Sequence, residues 1–168
     1  MNLRIEPLSR NHNREGFDSG NDELNHYLLT TARQHNQKGI SRTFVLIDNE
    51  NDAEILGFFT LVACEISPDN LPRKFSKKYP SRAPASRLGR LAVAKHRQRQ
   101  GLGTIMLTDA MDKVLQVAEN IGIIGFFVDA KDENAAAFYH RFGFIHLLDN
   151  PLELFLPLET IRHALEVE

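Results

Sequence analysis

The sequence predicts an α/β (α+β) fold, a mixed sheet with helices on both faces, and three observations lead there. Strand-like and helix-like hydrophobic patterns alternate along the chain in the order β-α-β-β-(loop)-β-α-β-α-β-β. One unit of that order reads strand 87–93, helix 101–120 and strand 123–128, which is a parallel crossover pair, right-handed by default. The chain has 168 residues and 42% apolar content, enough for one domain (1–168) with a proper core.

Each element has a local reason. Arg4 to Leu8 reads as the first strand. FDSGNDELNHYLLTTARQHNQKG follows as a turn and a helix, with Asp18 or Ser19 as its cap and Leu24, Tyr27, Leu28 and Thr31 on one face. Thr43–Ile47 and Ile55–Cys64 are β-rich runs around the polar turn DNENDAE, a hairpin pattern. Residues 68–84 are proline-rich, basic and irregular, with room for one short helix. In the long helix Leu102, Ile105, Met106, Ala110, Val114, Val117, Ala118 and Ile121 follow the helical period. Ile123 to Val128 has no polar alternation and reads as a buried strand. Asp132 is placed to cap a short helix reaching Arg141. Phe144–Leu148 and Leu152–Leu158 complete the set as strands around an Asp-Asn-Pro turn.

Composition excludes several function classes. No apolar run approaches the ~18 residues of a membrane span, and MNLRIEPLSR has no apolar signal core, so a cytoplasmic protein without a membrane partner is expected. Cys64 is the single cysteine and sits in the apolar run LGFFTLVAC, where a buried strand residue is expected. The histidines show no metal-ligand spacing, and no metal is expected. The net charge of −2 hides a separation. Leu71 to Gly103 holds ten Lys or Arg and no carboxylate, and all 22 acidic residues lie elsewhere. Such a run favours a surface facing a polyanion over a merely solvated loop.

RQRQGLG, residues 97–103, joins a strand to the long helix. Glycines there let a backbone approach a ligand, and the helix start offers unpaired N–H groups and a positive dipole end. An anion, most simply a phosphate, fits such a place. The loop is not a Walker loop, because Thr104 and Ile105 follow Gly103. It is not a dinucleotide fingerprint either, because Met106 stands where the third glycine belongs.

The combination LGRLAV, RQRQGLG and VDAKDENAAAFYHRFGF resembles the GCN5-related N-acetyltransferase (GNAT) family over nearly the whole chain. The resemblance implies a twisted, mostly antiparallel mixed sheet and acetyl-coenzyme A as acetyl donor. It implies that Leu91, Ala92 and Val93 line the pantetheine and acetyl group, and that Gln98, Arg99, Gln100, Gly101, Gly103 and Thr104 hold the phosphates. Where many members carry a cofactor-contacting Asn, this chain has Asp132, read as a helix cap, with Asn134 two residues on as the cofactor contact. The family's general acid, a tyrosine that protonates the departing thiolate, corresponds to Tyr139. Ala135, Phe138 and Phe142 are expected on the core-facing stripe of its helix, with Tyr139 about 100° around from Phe138 and the small Ala135 and Ala136 one turn back. No carboxylate occupies the strand SRLGRLAV where many relatives carry a base, and Glu65 acting through water is the remaining candidate. A missing base suits an α-amino group, whose pKa is about 7.7–8.0, better than a lysine near 10.4.

FDSGNDELNHYL, TFVLID with ILGFFTL, KKYPSRAPASRLGRLAV and LELFLPLET resemble the toxin branch of the family. That branch pairs with ribbon-helix-helix antitoxins and acetylates the α-amino group of aminoacyl-tRNA. The resemblance implies an antitoxin partner and is compatible with a homodimer, and the acid-free basic run then reads as a tRNA-facing surface with contacts by Lys77, Lys78, Arg82, Arg87 and Arg90. Two other readings stand beside it: a non-toxic acetyltransferase for a small-molecule or protein amine, and a coenzyme A-binding module without turnover, against which the intact Tyr139 argues.

Overall fold

A computed structural model describes residues 1–166. Its seven strands form a mixed sheet in the order β1-β2-β3-β4-β5-β7-β6, numbered along the chain with the ranges given below. The chain folds as two compact units, one built from Met1–Val62 with Gly89–Ala110 and the other from Ala63–Leu88 with the chain from Met111 onward.

In the first unit β1 (Leu3–Pro7) pairs antiparallel with β2 (Arg42–Asp48), and β2 pairs antiparallel with β3 (Gly57–Ile66), the expected hairpin. Thr43 and Thr60 face each other across β2 and β3, and their buried hydroxyls satisfy one another at 2.8 Å. The predicted helix after Phe17 comes in two pieces, α1 (Asp22–Thr30) and α2 (Ala32–Gln37), with a step at Thr31. Asn21, and not Asp18 or Ser19, caps α1 by accepting from the Leu24 N–H at 3.1 Å. Asp18 and Ser19 are spent on the turn before it. Asp18 accepts from the Gly20 N–H and the Asn25 amide, the first of which does most to hold its carboxyl below the usual carboxylate range. Ser19 donates its N–H and hydroxyl to Asn25 Oδ1. Gly20 bends the chain there with φ +85°. Tyr27, Leu28 and Ala32 then pack into a core with Phe17, Val45, Ile47 and Phe58, and Leu24 lies against it.

In the second unit Ser86–Leu88 of β4 (Ala83–Val93) pair parallel with β5 (Gly125–Asp129), as the crossover pattern requires. The second unit continues through β7 (Asn150–Pro157), antiparallel to both β5 and β6 (Ile145–Leu147). Its core gathers Leu71, Ala85, Phe127, Leu147 and Phe155 around Phe75, the apolar side of the short basic helix α3 (Arg73–Ser76). The long helix α4 (Leu102–Ala118) buries Leu102, Met106, Leu107, Ala110, Met111 and Val114. Ile105, Val117 and Ile121 are exposed, so the expected stripe is corrected by rotation toward Leu107 and Met111. Two apolar stripes compete in this helix, and packing selects between them. After α5 (Glu133–His140) and β7, the chain ends in α6 (Leu158–Glu166), which the strand pattern does not anticipate.

Gly125 opens β5 with no room to spare. A Cβ there would lie 2.5 Å from the backbone oxygen of Leu156 and 2.5 Å from the Phe155 ring. Because one obstacle is backbone, Gly125→Ala is expected to destabilise the fold by about 1–3 kcal/mol. A thermal melt should fall by several degrees, and an unchanged melt would contradict this packing.

Candidate active site

The segment 91–104 descends β4, turns and enters α4. Ala92 is buried, and Leu91 and Val93 are half-buried. The turn is tied to the Asp18–Asn21 bend: the Lys95 N–H donates to the Asp18 carbonyl at 2.7 Å. The Gln98 amide donates to the Ser19 and Val93 carbonyls at 2.9 and 3.1 Å. Both Gln98 donors thus shape the loop itself. Arg99 has φ +65° and Gly101 φ +79°, both left-handed. Glycine takes that conformation freely; an arginine costs about 1–2 kcal/mol, a strain typical of binding loops. A Cβ on Gly101 would meet nothing within 4 Å, so its backbone faces open space.

Because α4 begins at Leu102, the N–H groups of Leu102, Gly103 and Thr104 lie in its first turn and lack intrahelical acceptors, while the Ile105 N–H already bonds Gly101 O at 3.2 Å. The Arg99, Gln100 and Thr104 side chains are exposed around this turn. No acidic residue stands in that first turn, so its dipole end is left for an outside anion.

In the second unit Asp132 caps α5 as expected, accepting from the Ala135 N–H at 2.8 Å. Asn134 is exposed on the first turn. The buried face of α5 is Ala136 and Tyr139; Ala135, Phe138 and Phe142 are only half-buried, which corrects the expected stripe. Phe138 and Phe144 hold the Tyr139 ring edge-on at centroid distances of 5.2 and 5.4 Å. Tyr139 is 7% exposed, and its hydroxyl has no hydrogen-bond partner among the described residues. No fully buried side-chain oxygen or nitrogen among them lacks a partner, so solvent reaches this hydroxyl. Burial of the ring raises its pKa well above the ordinary phenol value, and the group stays protonated.

The five predicted tRNA-contacting cations fall into distinct settings. Lys77 and Lys78 are exposed at the end of α3, where Lys78 Nζ lies 5.8 Å from the Phe75 ring centroid. Arg82 is paired with Glu65 at the surface. Arg87 is paired with Asp129 at 2.6 Å and more loosely with Glu153 at 3.8 Å. Cys64, expected to be buried, is half-buried; burial pushes its thiol pKa up and the neighbouring Arg87 opposes the shift. Arg90 lies over the Tyr27 ring. The fold therefore returns carboxylates to a stretch that has none of its own. Among the described residues no group of three His, Cys, Asp or Glu is placed to hold a metal ion, and no helix is long and apolar enough to cross a membrane.

The acetyltransferase (GNAT) family pattern matches residues 5–144. The chain belongs to this family. Its likeness is to the toxin branch. It is 33% identical over 146 residues to a tRNA-acetylating toxin of Mycobacterium tuberculosis (strain ATCC 25618 / H37Rv), covering 87% of this chain and 86% of the relative. The crystal structure of a tyrosine-to-phenylalanine variant of KacT superposes with a TM-score of 0.92 at 33% identity, covering 98% of this chain and 99% of KacT. AtaT complexed with acetyl-methionyl-tRNAfMet gives 0.90 at 32% identity, with the same coverage. A tyrosine-to-phenylalanine variant of AtaT bound to the C-terminus of the antitoxin AtaR and acetyl-CoA gives 0.84 at 30% identity, with 98% and 99% covered. The GNAT acetyltransferase fold and acetyl-coenzyme A as donor, both expected from the sequence, are borne out.

Proposed function

We propose that this acetyltransferase moves the acetyl group of acetyl-coenzyme A onto the α-amino group of an amino acid esterified to tRNA, acting as a translation-blocking toxin in the cytoplasm. The observation that carries the reading is the near full-length likeness to AtaT, a protein solved with acetyl-methionyl-tRNAfMet. An antitoxin partner of the ribbon-helix-helix kind goes with it, since AtaT is also solved with its antitoxin's C-terminus. Residues 1–168 are taken as a single acetyltransferase domain.

The residues fit the donor. The left-handed backbone at Arg99 and Gly101 and the first-turn N–H groups of Leu102, Gly103 and Thr104 suit a pyrophosphate, with Arg99 and Gln100 reaching it from the loop. Gln98 serves by fixing the loop's shape. Leu91, Ala92 and Val93 line the pantetheine and acetyl end, and Asn134 adds a polar contact. In the reaction the amine nitrogen bonds the acetyl carbon and the carbon–sulfur bond breaks. Tyr139 then gives its proton to the departing thiolate and recovers one from solvent, while the amine's surplus proton leaves to water. A free α-amine needs no strong base at neutral pH.

The test is acetyl transfer from labelled acetyl-coenzyme A to charged tRNA, with free amino acids and lysine peptides as competitors. Preference for charged tRNA supports the reading. Good transfer to free amines with none to charged tRNA selects the non-toxic reading, which the neutralised Arg82 and Arg87 favour. Lys77 and Lys78 are exposed and, unlike Arg82 and Arg87, have no carboxylate partner among the described residues. Changing both to Ala should flatten the log–log salt dependence of tRNA binding by ~0.7–0.9 for each phosphate no longer neutralised, and leave coenzyme A affinity unchanged. Arg82→Ala should move that slope less, because its charge is already matched.

A further inference from the structure

Arg90 differs from the other cations of the basic run in how it is held. Its guanidinium carbon lies 4.0 Å from the Tyr27 ring centroid, against the ring face. Tyr27 is a rigid support: it is buried, stacked at 6.4 Å on Phe58, met edge-on by His35 at 6.1 Å, with its hydroxyl 3.4 Å from Ser41 Oγ. Arg90 makes one long hydrogen bond, from Nη1 to the Gly89 carbonyl at 3.4 Å, and no carboxylate among the described residues lies within ion-pair distance of it. Three residues earlier, Arg87 is matched by two carboxylates.

This arrangement exceeds what a phosphate contact needs. A lysine-like point charge on a mobile stem neutralises a phosphate, and Lys77 and Lys78 already present that form. An arginine seated on an aromatic face instead offers a positioned plane with spare N–H donors. Unpaired nucleobases stack on such planes and bond to their edges. Arg90 lies two residues before Ala92 on β4, so its side chain is on the same face of the strand as Ala92 of the segment read as lining the acetyl group.

We infer that Arg90, seated on Tyr27, stacks an unpaired nucleobase at the acceptor end of charged tRNA and so positions the aminoacyl ester for transfer. This rests on the reading that charged tRNA is the acceptor. It makes Arg90 a substrate-positioning residue whose shape matters more than its charge.

The discriminating variant is Arg90→Lys, which keeps the charge and removes the plane, beside Arg90→Ala, which removes both. Losing one base stack is worth about 1–3 kcal/mol, or roughly 5- to 150-fold. Arg90→Lys should therefore lower kcat/KM on charged tRNA by about that factor and keep the wild-type salt slope. Arg90→Ala should lose as much activity with the slope again near wild type, because the guanidinium meets a base and not a phosphate. With 2-aminopurine at the tRNA 3′ terminus, wild-type protein should change the probe's fluorescence on binding, and both variants should lose that change. Acetyl-coenzyme A affinity, measured by calorimetry on each variant, reports that the fold and donor site are intact. Wild-type activity and an unchanged fluorescence response in Arg90→Lys would reduce Arg90 to a phosphate contact and overturn the inference. If wild-type protein does not acetylate charged tRNA, the inference falls together with the acceptor reading, and the wild-type arm identifies that case.

Discussion

Tyr139→Phe is expected to lower turnover by about 10²–10⁴-fold, the usual contribution of a positioned acid or base, while acetyl-coenzyme A affinity stays within a few-fold. The expectation comes from an unusual combination in one side chain. The ring is 7% exposed and clamped by Phe138 and Phe144, yet the hydroxyl has no protein partner among the described residues and is reached by solvent. A tyrosine kept only for packing gains nothing from that hydroxyl. Removing it should also cost little stability, because no hydrogen bond disappears with it. The variant's melting temperature therefore separates chemistry from folding. The pH dependence has a definite sign. Burial disfavours the phenolate and raises the pKa, so the protonated, donating form persists through the alkaline range. Turnover should show no alkaline fall near pH 10 from an ordinary phenol. A Phe variant with wild-type turnover would remove the role.

The same residue shows where sequence reasoning reaches its limit. That a short helix begins after Asp132 is a local fact, since the cap and the amide it satisfies are three residues apart. Which face of that helix is buried is decided by partners the helix does not contain, and Ala136 with Tyr139 prevails over Ala135 with Phe138. In α4 the periodicity finds Leu102, Met106, Ala110 and Val114 but misassigns one edge of the stripe for the same reason, because Leu107 and Met111 compete with Ile105 and Val117 at helical spacing. At Asp18–Asp22 several residues in a row can cap a helix. The turn that assigns the cap to Asn21 is itself anchored from a distance, by the Lys95 N–H. α6 begins at Leu158 directly after Pro157, the last residue of β7, so no turn residue separates helix from strand in the sequence. Charge behaves likewise. The basic run is obvious in the sequence, whereas the Arg87–Asp129 pair joins residues 42 apart and becomes visible only when β4 and β5 lie side by side.

The glycine loop is the part of the site most fully written in local sequence, and it carries the second large effect. Gly103→Asp should weaken acetyl-coenzyme A binding by at least ~10- to 150-fold, the equivalent of losing one charge-assisted hydrogen bond of about 1.5–3 kcal/mol. Gly103 is the second residue of α4, in the turn whose N–H groups are proposed to meet the pyrophosphate. A carboxylate there would take those donors and repel a second anion. The substitution does not work by damaging the helix, because no acidic residue occupies that first turn and an aspartate at a helix start interacts favourably with the dipole. The variant should therefore melt at or above the wild-type temperature while calorimetry shows binding abolished or severely weakened. Gly103→Ala is the companion measurement: it adds a methyl group without charge and should weaken binding much less. Affinity unchanged in the Asp variant would move the pyrophosphate away from α4. Equal losses in both variants would mean that close backbone approach, and not the anion's charge, sets the affinity of this loop.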